Sequence, residues 1–266
     1  MTRLLLATTL ACFVAITARA GEFDHSHAAW NAVLQAHAKD GMFNYAALKA
    51  DDAQFRAYVA SLGGVTAKEI VGWTRAQKLA YYINAYNAYT VESILAAYPI
   101  AGRNPLHPSN SIRQISGVWD KATHAVGGES LTLDAIEHKK LREQLKEPRI
   151  HAAVNCASIG CPPLRDTAFA AATIEAQLDA AVAAWVTNEA HVRYDARRKR
   201  LYLSKIFDWF KGDFAASPGS AKGFGDYDGV VNFILPHLST DTAAAILKDR
   251  PQVRFNDYDW GLNEWK

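Results

Sequence analysis

Sulfur is scarce in this chain, whose 266 residues include two methionines and three cysteines. Cys12 lies in an apolar N-terminal stretch, so Cys156 and Cys161 are the cysteines expected in the mature protein. Two cysteines cannot form the framework of a disulfide-stapled miniature scaffold. Charge of one sign is also missing: 29 basic residues face 27 acidic ones, and losing Arg3 and Arg19 with a leader makes the counts equal at 27. That balance lacks the electrostatic footprint of a nucleic-acid or anionic-membrane binder. The run Arg197-Arg-Lys-Arg200 reads as a solvated turn. No glycine-rich phosphate loop or dinucleotide fingerprint occurs, and Gly127-Gly128 stands alone as a turn. Beyond the leader, no apolar run approaches the roughly 20 residues of a membrane span, so no integral membrane segment is expected in the mature chain.

What is present begins with Met-Thr-Arg3, an apolar run from Leu4 to Ile16, and Ala18-Arg-Ala20 before Gly21. A charged start, a short apolar stretch and small residues at the cleavage point are the marks of a secretory signal peptide. Residues 1–20 are therefore expected to be removed and 21–266 to form one globular domain, periplasmic or secreted. Half of the residues are hydrophobic and 11% aromatic, enough for a sizeable core.

Thr74 to Tyr98 carries the strongest helical signature, with the capping box Thr74-Arg-Ala-Gln77, Pro99 beyond its end, and an apolar stripe through Leu79, Ile83, Tyr86 and Ile94. Asn84 and Asn87 flank that stripe, where buried amides must find partners. Either they tie loops to the helix or one of them lines a site. Helices are also expected at 25–37, 51–62, 67–73, 132–145, 170–188, 230–237 and 241–248. His25 and His27 read as a frayed helix start rather than a metal pair. Glu137 sits four residues from both Leu133 and Leu141, which places a carboxylate on an apolar helical face. Hairpins are expected from 118–121 with 123–126, and from 192–194 with 201–203. The pattern is α+β: a mostly helical single domain around a small antiparallel sheet.

The stretch of greatest chemical interest is His151-Ala-Ala-Val-Asn-Cys-Ala-Ser-Ile-Gly-Cys-Pro-Pro-Leu-Arg165. Residues 150–155 read as a buried strand ending at Cys156 in a turn whose backbone N–H groups lower a thiol pKa and stabilise an oxyanion. Cys161 precedes two prolines and is less well placed for catalysis. In an oxidising compartment the pair can also bridge, closing a loop too small to act as a main staple. The base is open among His151, His138 and His124, because residues 151 and 156 of a regular strand face opposite sides. A metal site needs three or four converging ligands, and this cysteine spacing matches no familiar zinc knuckle, so neither a metal nor a cofactor is expected.

Four motifs in succession carry a resemblance: Tyr81-Tyr-Ile-Asn-Ala-Tyr-Asn87, Leu131-Thr-Leu-Asp-Ala-Ile-Glu-His138, His151 to Leu164, and Tyr258-Asp-Trp-Gly-Leu-Asn263. Together they resemble the domain of unknown function 547 family, here a bacterial exported member. The resemblance implies a mixed helix–sheet domain related to papain-like or transglutaminase-like thiol enzymes. It further implies Cys156 as nucleophile, His151 as base and Glu137 as the acid that orients it; apart from the resemblance, Asn84, Asn87 and Arg165 are the substrate-binding candidates. Two functions follow as expectations. One is an exported thiol hydrolase or acyltransferase acting on an amide bond in a small peptide or cell-envelope fragment. The other is a non-catalytic envelope binding or scaffold protein with a Cys156–Cys161 disulfide. Oligomeric state is not legible.

Overall fold

The helix Arg75–Ala97 is the member around which the rest of the chain is packed. The computed structural model describes residues 23–265, so the expected leader lies outside the described residues. Thr74 Oγ1 accepts the Gln77 N–H at 3.2 Å and the Gln77 side chain accepts the Thr74 N–H at 2.8 Å, the capping box read from the sequence. From Leu79 to Val91 every residue is buried, so the helix is enclosed all round rather than along one stripe. Its tyrosines remain possible inside because their hydroxyls are bonded. Tyr81 donates to the Leu62 carbonyl at 2.8 Å and Tyr89 to the Ala125 carbonyl at 2.6 Å.

The architecture is α+β, with helices surrounding small sheets. Ala28–His37, Ala53–Gly64 and Ile174–Val186 join the central helix in one hydrophobic core that includes Trp30, Leu62 and Trp185. His27 is not frayed: it is buried, its Nδ1 lies 2.8 Å from the Tyr58 hydroxyl, and Asp24 accepts the Ala28 N–H at 2.9 Å. The first long hairpin pairs Thr123–Val126 with Glu129–Thr132, not with 118–121 as expected. Gly127 and Gly128 are its turn, with φ of 59° and 79°, a backbone that suits glycine and matches the twist of the strands. Residues 118–121 instead form turns.

Val192–Asp195 and Arg200–Leu203 form the expected antiparallel hairpin. The sequence also reads as extended at 253–255, and Gln252–Phe255 joins Arg200–Leu203 in parallel as a third strand. That addition positions the site, because it carries the following residues, 256–263, toward the Cys156 loop. Thr132 accepts the Ala135 N–H at 3.1 Å and starts the helix over Ala135–Gln144. This helix is wound with i→i+5 hydrogen bonds, a π-helix, closing with Leu145 N–H on the Lys140 carbonyl at 3.1 Å. Such wide turns are rare and recur at functional sites. Glu137 points inward from it and is 8% exposed. Among the described residues no helix is long and apolar enough to cross a membrane.

Candidate active site

Residues 150–155 are not a strand. Pro148 opens a 3₁₀ turn over Pro148–Ala152, and Glu147 caps it by accepting the Arg149 N–H at 3.2 Å. Val154 N–H then bonds the Ile150 carbonyl at 2.9 Å. A short buried apolar run does not distinguish strand from turn, and here the proline settles it locally. The alternation argument that set His151 and Cys156 on opposite faces therefore does not apply.

Three asparagines hold the loop that follows. The Asn87 side chain donates to the Ala153 carbonyl at 3.0 Å and accepts the Asn155 N–H at 2.8 Å. Asn155 accepts the Ala157 N–H at 2.9 Å and the Asn263 side-chain amide at 3.3 Å, and donates to the Pro162 carbonyl at 3.0 Å. Inside this frame Ala157 takes φ 57°, left-handed and unfavourable for a residue with a Cβ by about 1–2 kcal/mol. Backbone held in such a region by its surroundings clusters at functional sites. The segment after the third strand runs beside the loop: Ile159 N–H donates to the Gly261 carbonyl at 2.9 Å and Gly160 N–H to the Asp259 carbonyl at 2.8 Å. A Cβ at Gly160 would lie 2.9 Å from the Asp259 nitrogen, so this close approach requires glycine.

The pairing brings Tyr258 to the sulfurs. Cys156 and Cys161 are joined as a disulfide, and the Tyr258 hydroxyl lies 3.1 Å from each Sγ. Ser158 Oγ is 3.1 Å from Cys156 Sγ and 2.9 Å from the same phenol. Burial pushes the Tyr258 pKa far above its usual value, so its hydroxyl remains a donor across the working range. Cys161 is buried, whereas Cys156 is half-exposed.

His151 faces the opposite wall. Its ring stacks on Phe210 with centroids 4.4 Å apart, and Nε2 lies 2.7 Å from Asp213 Oδ2. Arg142 grips the same carboxylate with Nε at 2.5 Å and Nη2 at 2.9 Å. Burial works to raise the Asp213 pKa, but the hydrogen bonds from His151 and Arg142, with the Arg142 charge, outweigh it and hold it well below the carboxylate range. Burial lowers the His151 pKa in spite of Asp213, which favours a neutral imidazole. An ionised carboxylate only accepts, so Nε2 carries the proton and Nδ1 is the basic nitrogen. Glu137 lies elsewhere in the same wall. Burial raises its pKa to about 7, while a hydrogen bond from Tyr86 opposes the rise.

Cys156, His151 and Glu137 line one cavity of about 170 Å³, together with His138, Tyr258 and a set of aromatic rings. The carboxylate on His151 is thus Asp213, and Glu137 pairs with Tyr86. Asn84, Asn87 and Arg165 stand outside this lining. Asn84 ties the central helix to Phe169 through its carbonyl at 2.6 Å and its N–H at 3.1 Å. Asn87 supports the cysteine loop from behind, and the Arg165 guanidinium lies 5.8 Å from the Phe169 ring centroid. His124 is stacked on Tyr89, at 4.3 Å, away from the cavity. Among the described residues no group of three or more His, Cys, Asp or Glu side chains is arranged to hold a metal ion.

Asp213 and Tyr258 were not singled out from the sequence. Asp213 sits in Phe210-Lys-Gly-Asp-Phe214, whose only local signal is aromatic content. Tyr258 begins one of the four motifs quoted above, and that motif was the available signal for it. No curated protein and no solved structure matches the chain. Residues 70–186, which include Glu137, His151 and both cysteines, match the family described as a protein of unknown function, DUF547, a match that supports membership of that family.

Proposed function

We propose that the protein is an exported, thiol-dependent hydrolase or acyltransferase acting on an amide bond, with Cys156 as nucleophile. The observation that carries this reading is the convergence of Cys156 and His151 on one cavity, with Asp213 behind the imidazole, its Oδ2 2.7 Å from His151 Nε2. Nucleophile, base and a group fixing the base are the parts that covalent acyl transfer requires. The bridge to Cys161 must first be opened by a dithiol reductant. His151 Nδ1 then takes the Cys156 proton, and Sγ attacks the amide carbon. Asp213 keeps the imidazole in the required tautomer and stabilises its charged form. The Tyr258 and Ser158 hydroxyls, beside the sulfur, are the donors available to the developing oxyanion. Collapse expels the amine, which takes the proton from His151 and leaves a thioester. Water or an acceptor amine then attacks the thioester and frees Cys156. Glu137, with a pKa of about 7, can lend a proton to this wall near neutral pH.

The test is mass spectrometry of reduced protein after brief incubation with a mixed library of N-acetyl peptides, supplied both as free C-terminal acids and as amides. An acyl adduct on Cys156, absent in Cys156→Ser, is expected. Absence of any adduct and of any cleaved amide would end the proposal. A second reading, a non-catalytic envelope binding protein, is favoured by the Cys156–Cys161 bridge itself. Under that reading the bridge persists in mild dithiol; under the first it opens to two titratable thiols.

A further inference from the structure

One exposed cation lining the cavity makes no ion pair among the described residues. The Arg113 guanidinium lies 4.9 Å from the Trp260 ring centroid and 5.4 Å from that of Trp119. Its Nε bonds His107 Nε2 at 3.3 Å. Arginine stacked between rings keeps its orientation and presents a planar fork, the geometry that recognises a carboxylate through two hydrogen bonds. Arg113 is exposed, lines the Cys156 cavity, and also lines an adjoining cleft of about 440 Å³. Trp119 and Asp134 are shared by both, so the two form one continuous depression. Trp209, 45% exposed, stacks on Trp260 at 6.0 Å and extends the aromatic wall.

The acids that face this region limit what it accepts. Asp120 is exposed in the adjoining cleft, Asp134 is half-exposed with its Oδ1 4.0 Å from His138 Nε2, and Glu137 is buried with a hydrogen bond from Tyr86. None of the three makes an ion pair with Arg113. The inner cavity, about 170 Å³, is smaller than the roughly 300 Å³ at which drug-sized ligand pockets begin, so it suits about one residue of a ligand.

We infer that the substrate is a short peptide bearing a free C-terminal carboxylate, held by Arg113 about one residue from the bond presented to Cys156, with its neighbouring apolar surface on Trp209 and Trp260. This rests on Cys156 as the reacting centre, but the recognition itself is measured without any reaction. The bridged protein does not turn over, and Trp119, Trp209 and Trp260 report occupancy by their fluorescence. Titrations of the bridged protein with N-acetyl-Ala-Ala, with its C-terminal amide and with glucuronic acid separate a peptide carboxylate from a sugar acid.

The acid is expected to bind about tenfold tighter than the amide and than glucuronic acid, a preference abolished in Arg113→Gln and partly kept in Arg113→Lys. Because Arg113 is exposed and makes no ion pair among the described residues, both variants should melt within a few degrees of the wild type, and melting measured alongside separates a lost preference from lost folding. Equal affinity for acid and amide, a preference that survives Arg113→Gln, no saturable quenching, or preference for glucuronic acid would each overturn the assignment. Such a failure leaves thiol reactivity untouched, whereas an inert thiol with intact acid preference would count against the catalytic reading alone.

Discussion

Reducing the Cys156–Cys161 bridge should cost little stability. The two cysteines are five apart in sequence, so the bridge closes a loop of six residues. On the chain-entropy relation a loop of that size contributes about 2 kcal/mol at 25 °C. The loop does not depend on the bridge for its shape, because Asn87, Asn155 and Asn263 hold it through hydrogen bonds of 2.8–3.3 Å. Reduction, or Cys161→Ser, should therefore lower the unfolding free energy by about 2 kcal/mol and the melting temperature by about 4–8 °C for a protein of this size. Urea unfolding followed by circular dichroism, with and without a phosphine reductant, reads both quantities. The near-ultraviolet spectrum should keep its aromatic bands. A loss above about 4 kcal/mol, or collapse of the near-ultraviolet signal on reduction, would show the bridge to be the element that holds the loop.

Asn155→Ala should be more damaging than reduction. It removes three hydrogen bonds and leaves the Ala157 N–H and Pro162 carbonyl buried without partners, about 3 kcal/mol by urea unfolding. Glu137 gives a pH signature. Its folded-state pKa is raised to about 7, so the stability it contributes is fully present below the usual 4.5 and declines as pH rises through 7. Wild type should lose about 3 kcal/mol across that window, and Glu137→Gln should be flat there. A wild-type profile without that slope would contradict its burial as a neutral acid. Asp213 has the opposite sign: its pKa is depressed, so its contribution is present above the usual 3.8 and is lost as pH falls below it. Asp213→Asn should remove that part of the acid-unfolding transition, which a pH titration of the far-ultraviolet signal would follow.

The helices were legible where capping and periodicity agreed, as in the Thr74-to-Gln77 box and the apolar face holding Glu137. The strand at 123–126 was legible, but its partner was sought before it, at 118–121, rather than after the Gly127-Gly128 turn, at 129–132. The strand expected at 150–155 failed for a more instructive reason. Its apolar side chains are buried, the turn packing mainly on the helix Ile174–Val186, while Pro148 and local hydrogen bonds wound it into a turn. That change removed the obstacle to bringing His151 and Cys156 to one cavity. Asp213 was not legible because its partner lies 62 residues away and nothing local marks the pairing. Asn87 shows the reverse: an amide considered for a site lies behind the loop and sets its shape.

The direct measure of the central claim is the rate at which iodoacetamide alkylates Cys156 in reduced, folded protein, followed by mass from pH 5 to 9. Cys156 should react at neutral pH well ahead of Cys161. His151→Ala should slow it and shift the profile toward that of an ordinary thiol near pH 8.5. Asp213→Asn should give an intermediate profile. A Cys156 that is unreactive at neutral pH, or whose rate and pH dependence are the same with and without His151, would contradict the assignment of this cavity as a thiol active site.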